Sequence, residues 1–80
     1  MKSTKRIVVG QYVVSDPEIC HGQLTFLGTR ILVESVLSCL ADGRSIEWVL
    51  AEWPRLSRAA VQEALQLAAG ALVKQYHKAA

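Results

Sequence analysis

Gly22-Gln23-Leu24-Thr25-Phe26-Leu27-Gly28-Thr29-Arg30-Ile31-Leu32-Val33 is the stretch that decides how this chain folds. Two glycines bracket a short β-like run, and a Gly-Thr-Arg turn then opens directly into an apolar pattern of helical period. Gly28 supplies a positive φ at the bend, Thr29 is placed to cap the first helix, and Arg30 is placed to pair with an acid such as Asp16 or Glu18. A second joint, Trp53-Pro54-Arg55-Leu56-Ser57, separates two further helical patterns. Short β elements followed by three helices with two tight joints predict a mainly α, tri-helical helix-turn-helix domain of winged-helix-like layout, with short N-terminal β-strands.

Outward from that stretch, the helical periods are explicit. Val33, Val36, Leu37 and Leu40 place one apolar face on a first helix, which Gly43 ends. Ser45 is an N-cap residue for a second helix carrying Ile46, Val49, Leu50 and Trp53 on one side. Pro54 stops it. Ser57 caps a third helix running from Arg58 into the seventies, with Val61, Ala64, Leu65, Ala68 and Leu72 as the expected buried stripe. Gly70 costs that helix about 1 kcal/mol relative to Ala, which a close helix crossing or a fraying end would explain. On the N-terminal side, Ile7-Val8-Val9 and Tyr12-Val13-Val14 are β-branched runs, Ser15-Asp16-Pro17-Glu18 is turn chemistry, and His21-Gly22 marks a tight bend. Strands this short are expected to form a small cap, or an edge that pairs with a symmetry mate. The expected segmentation is a basic arm and first extended segment over 1–11, the helical domain over 12–72, and a basic extension over 73–80.

Eighty residues make one domain, and a chain of that size buries only ~60% of the surface its unfolded form exposes. An apolar content of 51% exceeds what so small a core needs, which points to a second subunit or a partner. Net charge is +2, but its distribution is uneven. Lys2, Lys5 and Arg6 lie at one end and Lys74 and Lys78 at the other, leaving four arginines against all seven acids between residues 7 and 73. Contact with nucleic acid would therefore rest on the tails and a few arginines rather than on a diffuse basic surface. Cys20 and Cys39 form no CxxC and have no His at ligand spacing, as expected of two reduced thiols in a cytoplasmic chain. No metal site, cofactor motif, phosphate loop, nucleophile elbow, signal peptide or membrane span is legible, and no catalytic residue is expected.

The candidate functional residues are surface residues. Arg58, Gln62 and Gln66 fall along one outward stripe of the third helix; Arg reads guanine and Gln reads adenine in bidentate fashion, although both also fill any solvated helix face. Arg55, in the preceding joint, is placed to reach a phosphate. Trp48 lies on the side of the second helix away from Val49 and Trp53. It is read either as a partner anchor or as a residue covered by the N-terminal strands. Val73 and Tyr76 belong to an extension that docks on a partner or frays. His21 is read as a surface residue beside a turn.

Asp16-Pro17-Glu18-Ile19-Cys20-His21-Gly22, Gly28-to-Val33, Leu40-Ala41-Asp42-Gly43-Arg44-Ser45, Trp53-to-Ser57 and Val61-Gln62-Glu63-Ala64-Leu65, in this order, resemble the family known as domain of unknown function 433. The resemblance covers about residues 12 to 69. It implies a helix-turn-helix fold and the role of an antitoxin in a type II toxin–antitoxin pair: a homodimer that binds operator DNA, represses its own operon, and masks a PIN-like ribonuclease toxin with a terminal segment. A stand-alone DNA-binding regulator and a protein-binding adaptor on the same fold are the alternatives. Two departures stand out: Ile31-Leu32-Val33 replaces the usual Ile-Pro-Val, and Trp48 stands where acids are frequent.

Overall fold

The computed structural model describes residues 5–76; the outer ends of the expected arm and extension, 1–4 and 77–80, lie outside the described residues. The elements run β1 (Ile7–Val8), β2 (Val13–Ser15), a single 3-10 turn at Cys20–Gly22, β3 (Leu24–Phe26), α1 (Val33–Ala41), α2 (Ile46–Glu52) and α3 (Arg58–Tyr76). The three strands form one antiparallel sheet in the order β1-β2-β3, with Val13 opposite Phe26 and Val14 opposite Thr25.

This sheet is more than the small cap expected of it. Strand alternation sends Val13 and Phe26 to one face, where they join Val33, Val36, Val49, Leu56, Ala60, Val61 and Ala64 in a single core. Val14 and Thr25 take the other face and are equally buried, so the centre of the sheet is covered on both sides. The architecture is therefore mixed α/β, with the sheet as one wall of the core and the helices as the other. Thr25 also bridges to Leu32 just before α1, and its Oγ1 has no hydrogen-bond partner among the described residues.

The joints follow from their residue types. Gly28, at φ 78°, sits third in the Phe26–Thr29 turn, a position where a positive φ favours glycine. Thr29 does not cap α1. Its hydroxyl donates to the Phe26 carbonyl (2.8 Å) and accepts from the Ile31 amide (3.0 Å), closing the turn, while Leu32 takes the N-cap position of α1 without a side-chain bond. At the other end of α1 the Gly43 amide bonds the Leu40 carbonyl (3.0 Å) and the Arg44 amide the Cys39 carbonyl (3.1 Å), a Schellman closure around Gly43 at φ 99°. Ser45 accepts from the Trp48 amide and Ser57 from the Ala60 amide, so both expected N-caps are present. Between β2 and β3, Cys20, His21 and Gly22 are all left-handed, which costs about 1–2 kcal/mol at each non-glycine residue. A bond from Ser15 Oγ to the Gly22 carbonyl (2.6 Å) helps hold that bend.

α3 is rotated from the expected phase. Ala60, Val61 and Ala64 are buried and Leu67 packs against the core, whereas Leu65 and Leu72 are 39% and 60% exposed and Ala68 is exposed as well. Alanines occupy every side of this helix, so apolar spacing alone does not set its rotation; a polar contact adds to the packing that does. Glu63 Oε2 and Oε1 accept the amides of Gln11 and Tyr12, each at 2.7 Å, a pairing consistent with the Ala60–Ala64–Leu67 phase. Gly70 meets no helix crossing among the described residues, since a Cβ there would find nothing of them within 4 Å.

Candidate functional site

Past Leu67, every residue of α3 as far as Tyr76 is exposed. The first half of this helix is anchored in the core and the second half leaves it. Its outward surface changes character along the way. Arg58, Gln62 and Gln66 are all exposed and lie opposite the buried face, as expected. Leu65, Ala69, Leu72 and Tyr76 then follow at spacings of four, three and four, the seam by which one helix docks on another. Val73 lies beside that seam and is 69% exposed. Behind it, Val9 and Leu24 of the sheet side, Leu37 of α1, and Leu67, Ala68 and Ala71 of α3 line an apolar groove of about 230 Å³.

The four arginines between residues 7 and 73 divide into two pairs. Arg58 Nη2 donates to Glu47 Oε2 at 2.7 Å, tying the start of α3 to α2. That bond, with the positive charge behind it, holds the Glu47 carboxyl below its ordinary range. Arg44 lies over the Trp48 ring at 4.7 Å, and Trp53 meets the same indole edge-to-face at 6.3 Å. Trp48 is thus half-buried against the core, with Arg44 and Trp53 upon its ring. Arg30 and Arg55 remain. Arg30 forms no ion pair with Asp16 or Glu18 among the described residues, and Asp16 Oδ1 instead accepts the Glu18 amide. Both arginines line one open cleft of about 470 Å³, together with Ile19, Gly28 and Thr29.

A match to the family described as protein of unknown function DUF433 spans residues 13–68. The chain belongs to this family. No curated protein and no solved structure matches it. The matched span takes in the sheet from β2 onward, both joints and the anchored half of α3, and it ends where α3 leaves the core. In this member of the DUF433 family no described helix is long and apolar enough to cross a membrane. Among the described residues no group of three or more His, Cys, Asp or Glu is arranged to hold a metal ion.

Sequence reasoning missed two features of this surface. Glu63, which the sequence marks only as part of a family motif, clamps the β1–β2 loop. Gly10 reads as a break between strands, yet a Cβ there would lie 2.8 Å from the Glu63 carboxylate. No local signal marks a contact between residues more than fifty positions apart.

Proposed function

We propose that the chain is a binding protein of the antitoxin kind, a homodimer whose α2 and α3 act as a helix-turn-helix on operator DNA and whose exposed end of α3 engages a PIN-like ribonuclease toxin. The sheet stands in the place of a wing. Arg58, Gln62 and Gln66 are the base-facing set, Arg55 a phosphate contact, and Val73 and Tyr76 the partner-facing set, joined by the part of Trp48 that Arg44 and Trp53 leave open.

What carries this reading is the second half of α3. Leu72, Val73 and Tyr76 are 60%, 69% and 63% exposed on a helix that has already left its own core. An apolar seam of helical period held into solvent is a surface for another protein. Its continuity with the polar stripe of the first half supports the reading, since one element then carries both an exposed polar face and an exposed apolar one.

The test is co-expression of the tagged chain with the product of the adjacent reading frame. A ribonuclease that is toxic alone should co-purify, and removal of residues 73–80 should release it. Full neutralisation by the truncated chain would refute masking by the end of α3. A stand-alone DNA-binding regulator is the second reading. The two uncommitted arginines favour it, and it predicts operator binding with no captured partner.

A further inference from the structure

Arg30 and Arg55 are twenty-five positions apart, one in the turn between β3 and α1 and the other in the joint between α2 and α3. The fold brings both to a single cleft whose other lining residues, Ile19, Gly28 and Thr29, include no carboxylate. Neither guanidinium has a salt bridge, a side-chain hydrogen bond or a ring contact among the described residues, whereas the other two arginines of the body are engaged by Glu47 and Trp48. Two like charges sharing a cleft repel unless an anion joins them. Between residues 7 and 73 all seven acids stand against four arginines, and none of those acids lines this cleft.

The chemistry of this lining suits a tetrahedral oxyanion. A guanidinium presents planar forks of N–H donors and no acceptor, which matches the non-bridging oxygens of a phosphate. Gly28 contributes an exposed wall without a side chain, and a Cβ there would meet nothing within 4 Å. The Thr29 hydroxyl is already engaged by Phe26 and Ile31, so it holds the turn and leaves the anion to the arginines. Cys20 Sγ approaches the Arg30 carbonyl at 3.7 Å, fixing the backbone of Arg30 against the left-handed bend.

We infer that the Arg30–Arg55 cleft is a phosphate-binding site, filled by one phosphodiester of the DNA strand that passes the start of α3. The inference rests on the DNA half of the function proposed above and is independent of the toxin. Arg55 lies two residues before the Ser57 cap of α3, so the cleft adjoins the end of the helix from which Arg58, Gln62 and Gln66 point outward. A strand clamped there would fix the register in which that stripe meets base edges. Arg30, which the sequence assigns to an internal ion pair, becomes a ligand-binding residue.

Two titrations of the full chain test this. In the first, inorganic pyrophosphate is added to ¹⁵N-labelled protein. Saturable shifts are expected at the Gly28 and Thr29 amides and the Arg30 and Arg55 side-chain N–H signals, and they should vanish in the double variant Arg30→Gln, Arg55→Gln. Both side chains are exposed, so that variant should keep the wild-type melting temperature and amide spectrum elsewhere. Absence of saturable shifts in the wild type overturns the site. In the second, a duplex of mixed sequence is titrated across a salt series. The double variant should lower the slope of log affinity against log salt by about 0.9, the value for one phosphate. An unchanged slope, or no duplex binding beside intact pyrophosphate shifts, overturns DNA as the source and leaves a free phosphate compound. A fall near twice that value overturns the shared phosphate, because each arginine then holds its own.

Discussion

Gly10 and Glu63 should behave as one unit, although they lie fifty-three positions apart. Glu63 receives the Gln11 and Tyr12 amides at 2.7 Å each, and the space above Gly10 is occupied by that carboxylate, with its carbon and both oxygens 2.8–2.9 Å from where a Cβ would lie. A hydrogen bond to a charged group contributes about 1.5–3 kcal/mol. The Gln11 amide is exposed and regains water when the clamp is lost, so most of the loss falls on the half-buried Tyr12 amide. Glu63→Ala should therefore destabilise the domain by about 2–3 kcal/mol, a fall in Tm on the order of 10–20 °C at this chain length. Gly10→Ala has no unfavourable φ to overcome. It acts by expelling the carboxylate, so it should cost nearly as much. In the Glu63→Ala background the same Gly10→Ala change should be almost neutral, within about 0.5 kcal/mol. A double-mutant cycle by chemical denaturation reads the coupling directly. Equal cost of Gly10→Ala in both backgrounds would refute the clamp as the reason for glycine.

Three further outcomes rest on the same geometry. Thr25→Val removes a fully buried hydroxyl that lacks a partner among the described residues and should raise stability by about 1 kcal/mol, read as a Tm gain; a loss would show that the hydroxyl is satisfied in solution. Trp48→Ala should cost about 1.5–3 kcal/mol, because the indole packs on Trp53 and under Arg44, and an unchanged Tm would return Trp48 to the role of a free anchor. If α3 meets DNA as proposed, Glu47→Gln should free Arg58 and tighten duplex binding several-fold at neutral pH. The Arg58–Glu47 bond is present above the ordinary carboxylate range and is lost as pH falls through the lowered Glu47 value, so the difference between wild type and variant should close in acid, and weaker binding by the variant would remove Arg58 from the DNA face.

The helices and most of their ends were legible because each is written locally; the start of α1 was not, since Thr29 closes the preceding turn and Leu32 takes the N-cap position. Gly43, Ser45, Pro54 and Ser57 act within four residues of themselves, and the structure uses each as its type predicts. The rotation of α3 was not legible. Leucines at 65 and 72 spell an apolar stripe as well as alanines at 60 and 64 do, and the polar contact that goes with the observed phase comes from a loop at the other end of the chain. The sheet was underrated for a similar reason: three residues make a poor strand in isolation, but Val13 and Phe26 draw their stability from helices that close over them. Of the site, the outward stripe of α3 follows from helical geometry alone. The meeting of Arg30 with Arg55 does not, because it depends on two joints folding toward each other.

The free half of α3 also has a consequence for how the molecule reports on its surroundings. Residues 72–76 extend about 7 Å beyond Ala71, the last residue of α3 on the apolar groove, at 1.5 Å per residue, and the radius of gyration, 13.7 Å for this chain, reaches the ~13 Å of a compact domain of 100 residues. Helical order in that overhang is sustained by propensity and by continuity with the anchored turns. Its amides should therefore exchange with solvent on a gradient, slow at Val61 and fast by Tyr76, while the core exchanges as one unit. Any molecule that seats on the overhang would flatten the gradient without touching the core. The helix is in this sense a built-in gauge of occupancy, readable residue by residue.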